Sequence, residues 1–440
     1  MQLFSSRARA GALTLLLLAP AALQTSSTQA RSADRSAAAT VAAVAEEIEL
    51  SRALQAPATA GAAFGSRSAT TSVRTRSGMI RTSVGCMESS RPLVMRREFR
   101  QRIGPVLGWD NPHVISLGGR RSLWLVHDSY MDYSFDATTL RETRPQIQNL
   151  AVIQKGSCFT LFHRGTLTRP TNFEPGVGAD PPQFYFWPLG GVSEGDVIKV
   201  FWGKMSLSNV PRGSKDGIVR HPIGTYVAEY DAYTLERRRF YEAPSSRVKE
   251  PTESDFLVQY GFATVSAPNY TYLFGNPNML NLAMNGGWAN GPHPATRNYL
   301  ARVPRGAVDR RPQYRTATGW SSDPADAVVI SRRFYTENTM QPRQFGANKW
   351  VSITKEDGFF GDQLFLDVAP NPWGPWRTVR RIDYSPPYSQ STYQPILLPR
   401  LTGEGDLVVV IALNSWQWDV ALDNPYLYRP DVLRIDSPFG

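Results

Sequence analysis

Short runs of apolar residues, separated by polar and turn-forming residues, occupy the chain from about residue 90 to its C-terminus. The runs are rich in β-branched and aromatic side chains, as in SLWLV from Ser122 and DLVVVIAL from Asp406, and Gly, Pro and Asn separate them. Runs of this length between turn residues are typical of β-strands. The pattern therefore predicts one all-β domain over residues 90–440.

Five segments of this domain repeat one pattern: a short apolar strand, a polar turn and a longer apolar strand. The segments begin at Asn111, Trp187, Tyr260, Asn338 and Tyr393. A second strand pair follows several of them, as in GTYVAEYDAYTLERRRFY from Gly224. A single four-stranded sheet cannot bury both faces, so such sheets stack around an axis. The repeat predicts a five-bladed β-propeller; the alternative is a β-sandwich with irregular spacing.

The fifth repeat leaves room for only about three strands before the chain ends at Gly440. A fourth, outer strand would then have to come from elsewhere in the chain. We predict that the segment Pro92–Phe99 supplies it and closes the ring, because closure removes an unpaired sheet edge.

The first thirty residues have the features of a secretory signal peptide. Arg7 and Arg9 precede the apolar run GALTLLLLAPAAL of residues 11–23, and small residues suited to cleavage end at Ala21 and at Ala30. This run is shorter than the roughly 20 apolar residues of a membrane-spanning helix; the alternatives are a buried core helix or an uncleaved anchor. Residues 31–85, rich in Ala, Ser, Thr and Arg, are predicted to be a flexible linker or pro-segment.

An exported chain can form disulfides, and this one has two cysteines, Cys86 and Cys158. A bridge between them would tie the N-terminal segment to the first blade; two unpaired buried thiols are the alternative. No other long apolar run follows the signal peptide, so no transmembrane segment is expected. The predicted location is extracellular or in the cell envelope.

The net charge of +10 is concentrated at the N-terminus. Residues 1–100 contain 13 Arg and 6 acidic residues, whereas the remainder contains 35 basic and 32 acidic residues. A nucleic-acid-binding domain carries its positive charge on the folded part, so nucleic acid is not the expected partner. The basic N-terminal tail is instead suited to contact an anionic cell envelope.

Several catalytic signatures are absent from the sequence. It contains no Gly-x-Ser-x-Gly, no His-Glu-x-x-His, no phosphate-binding Gly-rich loop and no cysteine pair with zinc spacing. The five histidines are scattered. The sequence therefore predicts neither a metal site nor a cofactor.

Two aspartates flank the first hairpin and are the candidate catalytic residues. A turn centred at Gly119 would place Asp110 directly opposite Asp128, with Cβ atoms about 4.5–5.5 Å apart. Two close carboxyls divide into one protonated and one ionised group, as glycoside hydrolysis requires. Asp128 is predicted to be the ionised partner because Ser129 and the strand-end backbone offer donors. The alternative is that each aspartate caps a turn. Strand alternation sends His127 to the other face, where we expect it to pack between blades.

Residues 100–440 resemble the secreted five-bladed propellers, long catalogued as a domain of unknown function, that include the mycobacterial-type endo-D-arabinanases. The resemblance rests on LWLVHDSYM, WPLGGVSEGDVIKVFWGKM, YGFATV, NYLARVP, NPWGPWRTVRRIDY and YQPILLP, and on their order. It implies a glycan-cleaving site on the propeller axis, with aspartates at the positions of Asp110 and Asp128. The implied substrate is an arabinan-like or other furanoside-containing polysaccharide that the enzyme cuts internally.

Residues that begin the repeats should meet at one mouth of the axial channel, where aromatic and amide side chains suit sugar rings. The predicted substrate-binding residues are Trp109, Asn149, Trp187, Tyr260, Asn338 and Gln394, the last next to Tyr393. For Trp187 and Tyr260 the alternative is packing between blades. A glycan-binding propeller that does not cut its ligand, either a lectin or an envelope scaffold, is the alternative function; a furanoside-transferring enzyme is a third.

Overall fold

The protein was analysed as a computed structural model. The structure describes residues 70–75, 77–84, 102–119, 121–143, 146–156, 158–176, 184–209, 218–251, 257–277, 296–333, 340–356, 361–384, 391–399, 405–415 and 417–439. Almost all regular structure in these ranges is β-strand, as the sequence predicts. Helical structure is confined to α1 (Trp418–Asp423) and to 3₁₀ turns at Leu140–Glu142, Pro324–Asp326 and Pro425–Tyr428.

Five antiparallel sheets form the blades of a propeller, which confirms the predicted fold. Blade one and the small sheet above it contain β1 (Thr70–Arg74), β2 (Ile80–Val84), β3 (Val106–Trp109), β4 (Pro112–Gly118), β5 (Arg121–Val126), β6 (Ser129–Met131), β7 (Gln146–Ile147), β8 (Leu150–Lys155), β9 (Cys158–Gly165) and β10 (Pro170–Thr171). Blade two contains β11 (Phe184–Glu194), β12 (Val197–Asn209), β13 (Ile218–Asp231) and β14 (Arg237–Glu242).

The remaining three blades follow in chain order. Blade three contains β15 (Ala263–Ser266), β16 (Tyr270–Gly275), β17 (Thr296–Pro304), β18 (Gln313–Arg315), β19 (Trp320–Ser321) and β20 (Ser331–Arg333). Blade four contains β21 (Arg343–Gln344), β22 (Trp350–Lys355), β23 (Gln363–Ala369) and β24 (Arg377–Asp383), and blade five β25 (Ser391–Leu397), β26 (Leu407–Asn414) and β27 (Asp431–Ile435).

The five repeated segments are the inner hairpins of the five blades. In chain order these are β4–β5, β11–β12, β15–β16, β21–β22 and β25–β26, and the predicted second pairs are β13–β14, β17–β18 and β23–β24. The described part of blade five has three strands, as predicted. The segment Pro92–Phe99, predicted to complete that blade, lies outside the described residues.

Hydrophobic clusters fill the spaces between neighbouring blades. The cluster between blades one and five joins Val114 and Trp124 to Ile396, Val408 and Val410. Similar clusters join blades one and two, two and three, three and four, and four and five. Because each sheet is buried on both faces, strands such as β26 are almost continuously apolar rather than alternating.

The N-terminal hairpin β1–β2 extends blade one. Residues Ile80–Val84 pair antiparallel with Phe159–His163 on the outer strand β9. Ile80 and Val84 are buried. The linker predicted over residues 31–85 therefore ends in a structured hairpin that belongs to the first sheet. The sequence did not indicate this, because the hairpin's apolar residues are few and widely spaced.

Cys158, at the start of β9, is disulfide-bonded. The only other cysteine in the sequence is Cys86, which lies outside the described residues. The sequence left open a disulfide or two unpaired thiols, and the structure has the disulfide.

No helix within the described ranges has both the length and the apolar composition that crossing a membrane requires.

Candidate active site

Asp110 and Asp128 face each other at the upper end of blade one, where β3 passes into β4 and β5 into β6. The register pairs Pro112 with Val126 on one side of them and Trp109 with Ser129 on the other. Between these pairs the amide of Asp110 donates to the carbonyl of Asp128 at 2.9 Å. The two aspartates are thus direct cross-strand partners, as the hairpin arithmetic predicted.

The carboxyl group of Asp110 is half-buried and accepts several hydrogen bonds. Its Oδ1 accepts from the hydroxyl of Tyr393 on β25 and, at 2.6 Å, from the amide of Asn111. Burial and then the negative charge of Asp128 raise the pKa of Asp110 to about 6, while hydrogen bonds from Tyr393, the Asn111 amide and Tyr428 act in the opposite direction. Asp110 can therefore hold a proton in mildly acidic solution.

Asp128 is buried, and its carboxylate is bound by the neighbouring blade. The indole Nε1 of Trp187 on β11 donates to Oδ1 of Asp128 at 3.2 Å. Ser129, predicted to donate to this carboxylate, instead donates its hydroxyl to the carbonyl of His127 at 2.8 Å. The prediction failed here because the carbonyl two residues back lies within reach of the short serine side chain.

His127 packs between blades one and two, as predicted. Its Nε2 lies 2.8 Å from the carbonyl of Pro188, and its ring stacks on Trp187 with centroids 5.0 Å apart. On the other side it stacks on His113, 5.5 Å away. Burial, followed by electrostatic interactions with His127 and Arg343, holds the pKa of His113 well below its usual range. The His113 ring is therefore uncharged at neutral pH.

Arg343 joins three strands near the propeller axis. Its guanidinium donates to the carbonyl of Leu397 on β25 at 3.0 Å and to that of Val114 on β4 at 3.1 Å, while it belongs to β21 itself. Burial lowers the pKa of Arg343 to about 10, which leaves it positively charged at neutral pH. This contact holds blades one, four and five together. No pattern in the sequence indicated it, because the three strands are far apart in the chain.

The remaining predicted binding residues are mostly built into the packing of the blades. Trp109 is 3% exposed and lies in the cluster between blades one and five. Tyr260 is 1% exposed in the cluster between blades two and three. Asn149 is completely buried and donates to the carbonyls of Glu174 and Phe186 at 3.0 and 2.8 Å. These three side chains are not available to a sugar in this conformation.

Trp187 contacts the acid pair and Gln394 is next to Tyr393 in the chain, whereas Asn338 lies outside the described residues. Gln394 follows Tyr393 at an irregularity in β25, has a positive φ of 48° and is 8% exposed. Its Oε1 has no hydrogen-bond partner among the described residues. Trp187 is half-buried. Of the predicted binding residues, Trp187 therefore contacts the acid pair directly, and Gln394 follows in the chain a residue that contacts it.

Two tyrosines complete the site. Tyr393 was recognised in the sequence only as the start of the fifth repeat; in the structure it donates to Asp110, and Asn414 on β26 donates to its hydroxyl oxygen at 3.3 Å. Tyr428 lies in the 3₁₀ turn before β27, and burial, followed by the charges of Asp110 and Asp128, raises its pKa well above the usual range. No repeat pattern marked Tyr428, because it belongs to an insertion between β26 and β27.

In chemical terms, the site is a carboxyl pair with phenol and indole donors around it. The pair can supply one acid and one base at a single site. Within the described ranges, no group of three or more His, Cys, Asp and Glu side chains is arranged to bind a metal ion.

Residues 97–437 match the family model described as "Domain of unknown function (DUF5005)". The chain belongs to this family. No curated protein matches the sequence. Among solved structures, the DUF5005 chain is similar to a putative hydrolase from Bacteroides ovatus ATCC 8483, with a TM-score of 0.55 and 13% identity over 83% of this chain and 93% of that one. At this identity the likeness concerns the fold alone.

Two glycoside hydrolase structures resemble the DUF5005 chain more weakly. One is a GH43 β-xylosidase/α-arabinofuranosidase from a compost microbial metagenome, with a TM-score of 0.42 and 9% identity over 74% of this chain and 91% of that one. The other is a family 117 glycoside hydrolase from Zobellia galactanivorans, with a TM-score of 0.39 and 11% identity over 76% and 88%.

Proposed function

We propose that this protein is a glycoside hydrolase in which Asp110 and Asp128 cleave the glycosidic bond. The supporting observation is the direct opposition of the two carboxyls, of which Asp110 has a pKa raised to about 6. Glycoside hydrolysis uses a pair of carboxyl groups, one protonated and one ionised. Two titrating groups whose environments differ meet this requirement. The shared fold contributes only the architecture to this proposal, because one fold hosts many activities.

In the proposed mechanism Asp110 is the general acid. Its proton passes to the glycosidic oxygen as the bond to the anomeric carbon breaks, and the leaving sugar departs as an alcohol. The carboxylate of Asp128, oriented by Trp187, either attacks the anomeric carbon or takes a proton from the attacking water. Tyr428, whose pKa is raised well above its usual range, stays neutral, and the hydrogen bonds from Tyr393 and Tyr428 keep Asp110 in place.

The proposed substrate is an arabinan-like or other furanoside-containing polysaccharide of the cell envelope, cut internally. The family resemblance of the sequence motifs supports this choice. Export through the N-terminal signal would bring the enzyme to that substrate, and the disulfide at Cys158 supports an oxidising compartment. In this proposal the basic N-terminal tail contacts the anionic envelope.

Replacement of each aspartate by asparagine tests the proposal. Asp110→Asn and Asp128→Asn preserve the shape of the side chain and remove the titrating group, so cleavage of arabinan or arabinogalactan should fall by about two orders of magnitude or more. Binding of the polymer should persist. The matched control is Asp419→Asn, because this side chain is 84% exposed on α1.

The two outcomes that contradict the proposal differ in meaning. If both asparagine variants cleave as fast as the parent, the aspartates are not the catalytic pair. If the parent binds these polysaccharides and cuts none of them, the protein is a glycan-binding propeller instead.

A further inference from the structure

A cavity lies on the outer part of blade one, and its volume is about 670 Å³. It opens between β1, the segment that follows β6 and the loop between β9 and β10. Residues from these elements line it, among them Ser72, Tyr133, Phe135, Leu167 and Thr168. We call this cavity the outer pocket. Its volume is in the range of ligand-binding sites, which run from about 300 to 1,000 Å³.

Phe135 stands in the pocket wall in a strained conformation. Its φ is 65°, in the left-handed region that bulky side chains rarely adopt. Backbone strain of this kind costs on the order of 1–3 kcal/mol and persists only where surrounding contacts impose it. The aromatic ring is therefore held in its place against a local preference.

The carboxylate of Asp132 imposes that conformation. Its Oδ1 accepts from the amide and hydroxyl of Ser134, and its Oδ2 accepts from the amide of Ala137 at 3.0 Å. Arg102 donates to the same Oδ2 at 3.0 Å, and its guanidinium lies over the Phe135 ring, 4.6 Å from the centroid. Asp132 thus fixes the backbone on both sides of Phe135, and Arg102 fixes the position of its ring. Neither contact requires a bound ligand.

The chemistry of the wall suits a neutral, hydroxyl-rich ligand. The two carboxylates at the pocket already accept hydrogen bonds from the protein backbone. Asp132 accepts from its own loop, and Glu142 accepts from the amides of Thr138 and Thr139 at 2.6 and 3.2 Å. What remains is the Phe135 ring, the 40% exposed Leu167 and several Ser and Thr hydroxyls that keep acceptor lone pairs. An aromatic face with surrounding hydroxyls matches the C–H face and hydroxyl edge of a sugar.

Strand β6 links the backbone at the outer pocket to the backbone at the acid pair. Strand β6 begins at Ser129, directly after Asp128, and its last residue, Met131, borders the pocket. At about 3.3 Å per extended residue, the pocket begins roughly 10 Å from Asp128. A polymer bound at the aspartates could reach it, whereas a short oligosaccharide could not fill both places.

We propose that the outer pocket is a distal subsite for neutral sugar units of the polysaccharide that the acid pair cuts. This inference rests on the proposed function and adds a second contact, with Phe135 as the stacking platform. The enzyme would then favour long chains over short ones. The pocket would also hold the polymer in place between successive cuts.

Three substitutions test the subsite by calorimetric binding of short and long linear arabinan oligosaccharides in an Asp110→Asn background. Phe135→Gly removes the ring and relieves the positive φ, so the fold should be preserved. Ser72→Trp fills the cavity. Val73→Trp is the matched control, because adjacent residues of a strand point to opposite faces and Val73 is 60% exposed.

We expect Phe135→Gly and Ser72→Trp to weaken binding of long chains about tenfold, as loss of an aromatic contact does, without effect on short chains. Val73→Trp should change neither. If the parent cuts arabinan and both pocket variants bind long chains as tightly as the control, the subsite proposal is overturned and the proposed function stands. The subsite proposal is also overturned if both chain lengths are weakened alike. If the parent neither binds nor cuts any glycan, the proposed function and the subsite fall together.

Discussion

The indole Nε1 of Trp187 in blade two donates to Oδ1 of Asp128 in blade one at 3.2 Å. The same indole ring stacks on His127, which directly precedes Asp128 in the chain, with ring centroids 5.0 Å apart. One side chain thus holds two successive residues at the end of β5. Because Trp187 belongs to a different blade, the position of this carboxylate depends on how blades one and two pack.

Trp187→Phe should reduce kcat about tenfold and leave the fold intact. Phenylalanine can keep the stacking on His127 but cannot donate to Asp128, and a hydrogen bond to a charged group contributes about 1.5–3 kcal/mol. Steady-state kinetics on the polysaccharide would measure the effect. Trp376→Phe is the control, since its Nε1 donates at 3.3 Å to the carbonyl of Pro372 in a loop of blade four. Equal kcat values in both variants would contradict the role of Trp187.

Tyr393→Phe should shift the pH dependence of cleavage upward. The Tyr393 hydroxyl donates to Asp110 and lowers the pKa of that carboxyl, so its removal raises a pKa that already stands at about 6. The limb of the pH–rate profile that reports the general acid should therefore move to higher pH. A profile that keeps its shape and position in the variant would show that Tyr393 does not act on the titrating group.

Asp110→Asn should stabilise the protein at pH 7 more than at pH 4. Burial raises the folded-state pKa of Asp110 to about 6, whereas an aspartate in the unfolded chain has a pKa of about 3.9. The folded state therefore retains a proton that the unfolded chain releases between these values, and stability falls as the pH rises through that window. The stabilisation by asparagine at pH 7 should be on the order of 2–3 kcal/mol.

Asp231→Asn provides a control of opposite sign for this experiment. Hydrogen bonds from the amides of Thr234 and Tyr233 and from Arg238 lower the pKa of Asp231 to about 2. Its contribution is present above the unfolded value and is lost as the pH falls toward 2. Urea unfolding would measure Asp110→Asn at pH 4 and pH 7 and Asp231→Asn at about pH 2.5 and pH 7, since the two groups titrate in different windows. A change in the same direction with rising pH in both variants would refute the assigned directions.

A chain that starts at residue 69 should be as stable as the full-length protein, whereas one that starts at residue 85 should not. The shorter chain lacks Met79, Ile80 and Val84, which are buried against blade one, and burial of each such side chain contributes about 1.5–3 kcal/mol. It also exposes the edge of β9, which invites aggregation. Thermal unfolding and light scattering would compare the two; identical midpoints would mean that the hairpin is dispensable.

The sequence by itself determined those features of this protein that depend on residues close together in the chain. The five hairpins and the opposition of Asp110 and Asp128 followed from apolar runs and one turn, because a turn sets the register of the strands on either side of it. The placement of His127 between blades followed from strand alternation. Each of these outcomes depends on residues that are neighbours in the chain.

The packing of the blades into a ring decided which residues surround Asp110 and which of the predicted binding residues are buried. Tyr393 stands 283 residues from Asp110, and Tyr428 comes from an insertion with no repeat pattern, yet both reach the same carboxyl once blade five packs on blade one. Trp109 and Tyr260, predicted to bind sugar, became core residues because an aromatic at a blade interface gains more by excluding water than by facing the channel. Sequence motifs fix which residue types are present, but which of them are buried depends on neighbours that only the folded ring supplies.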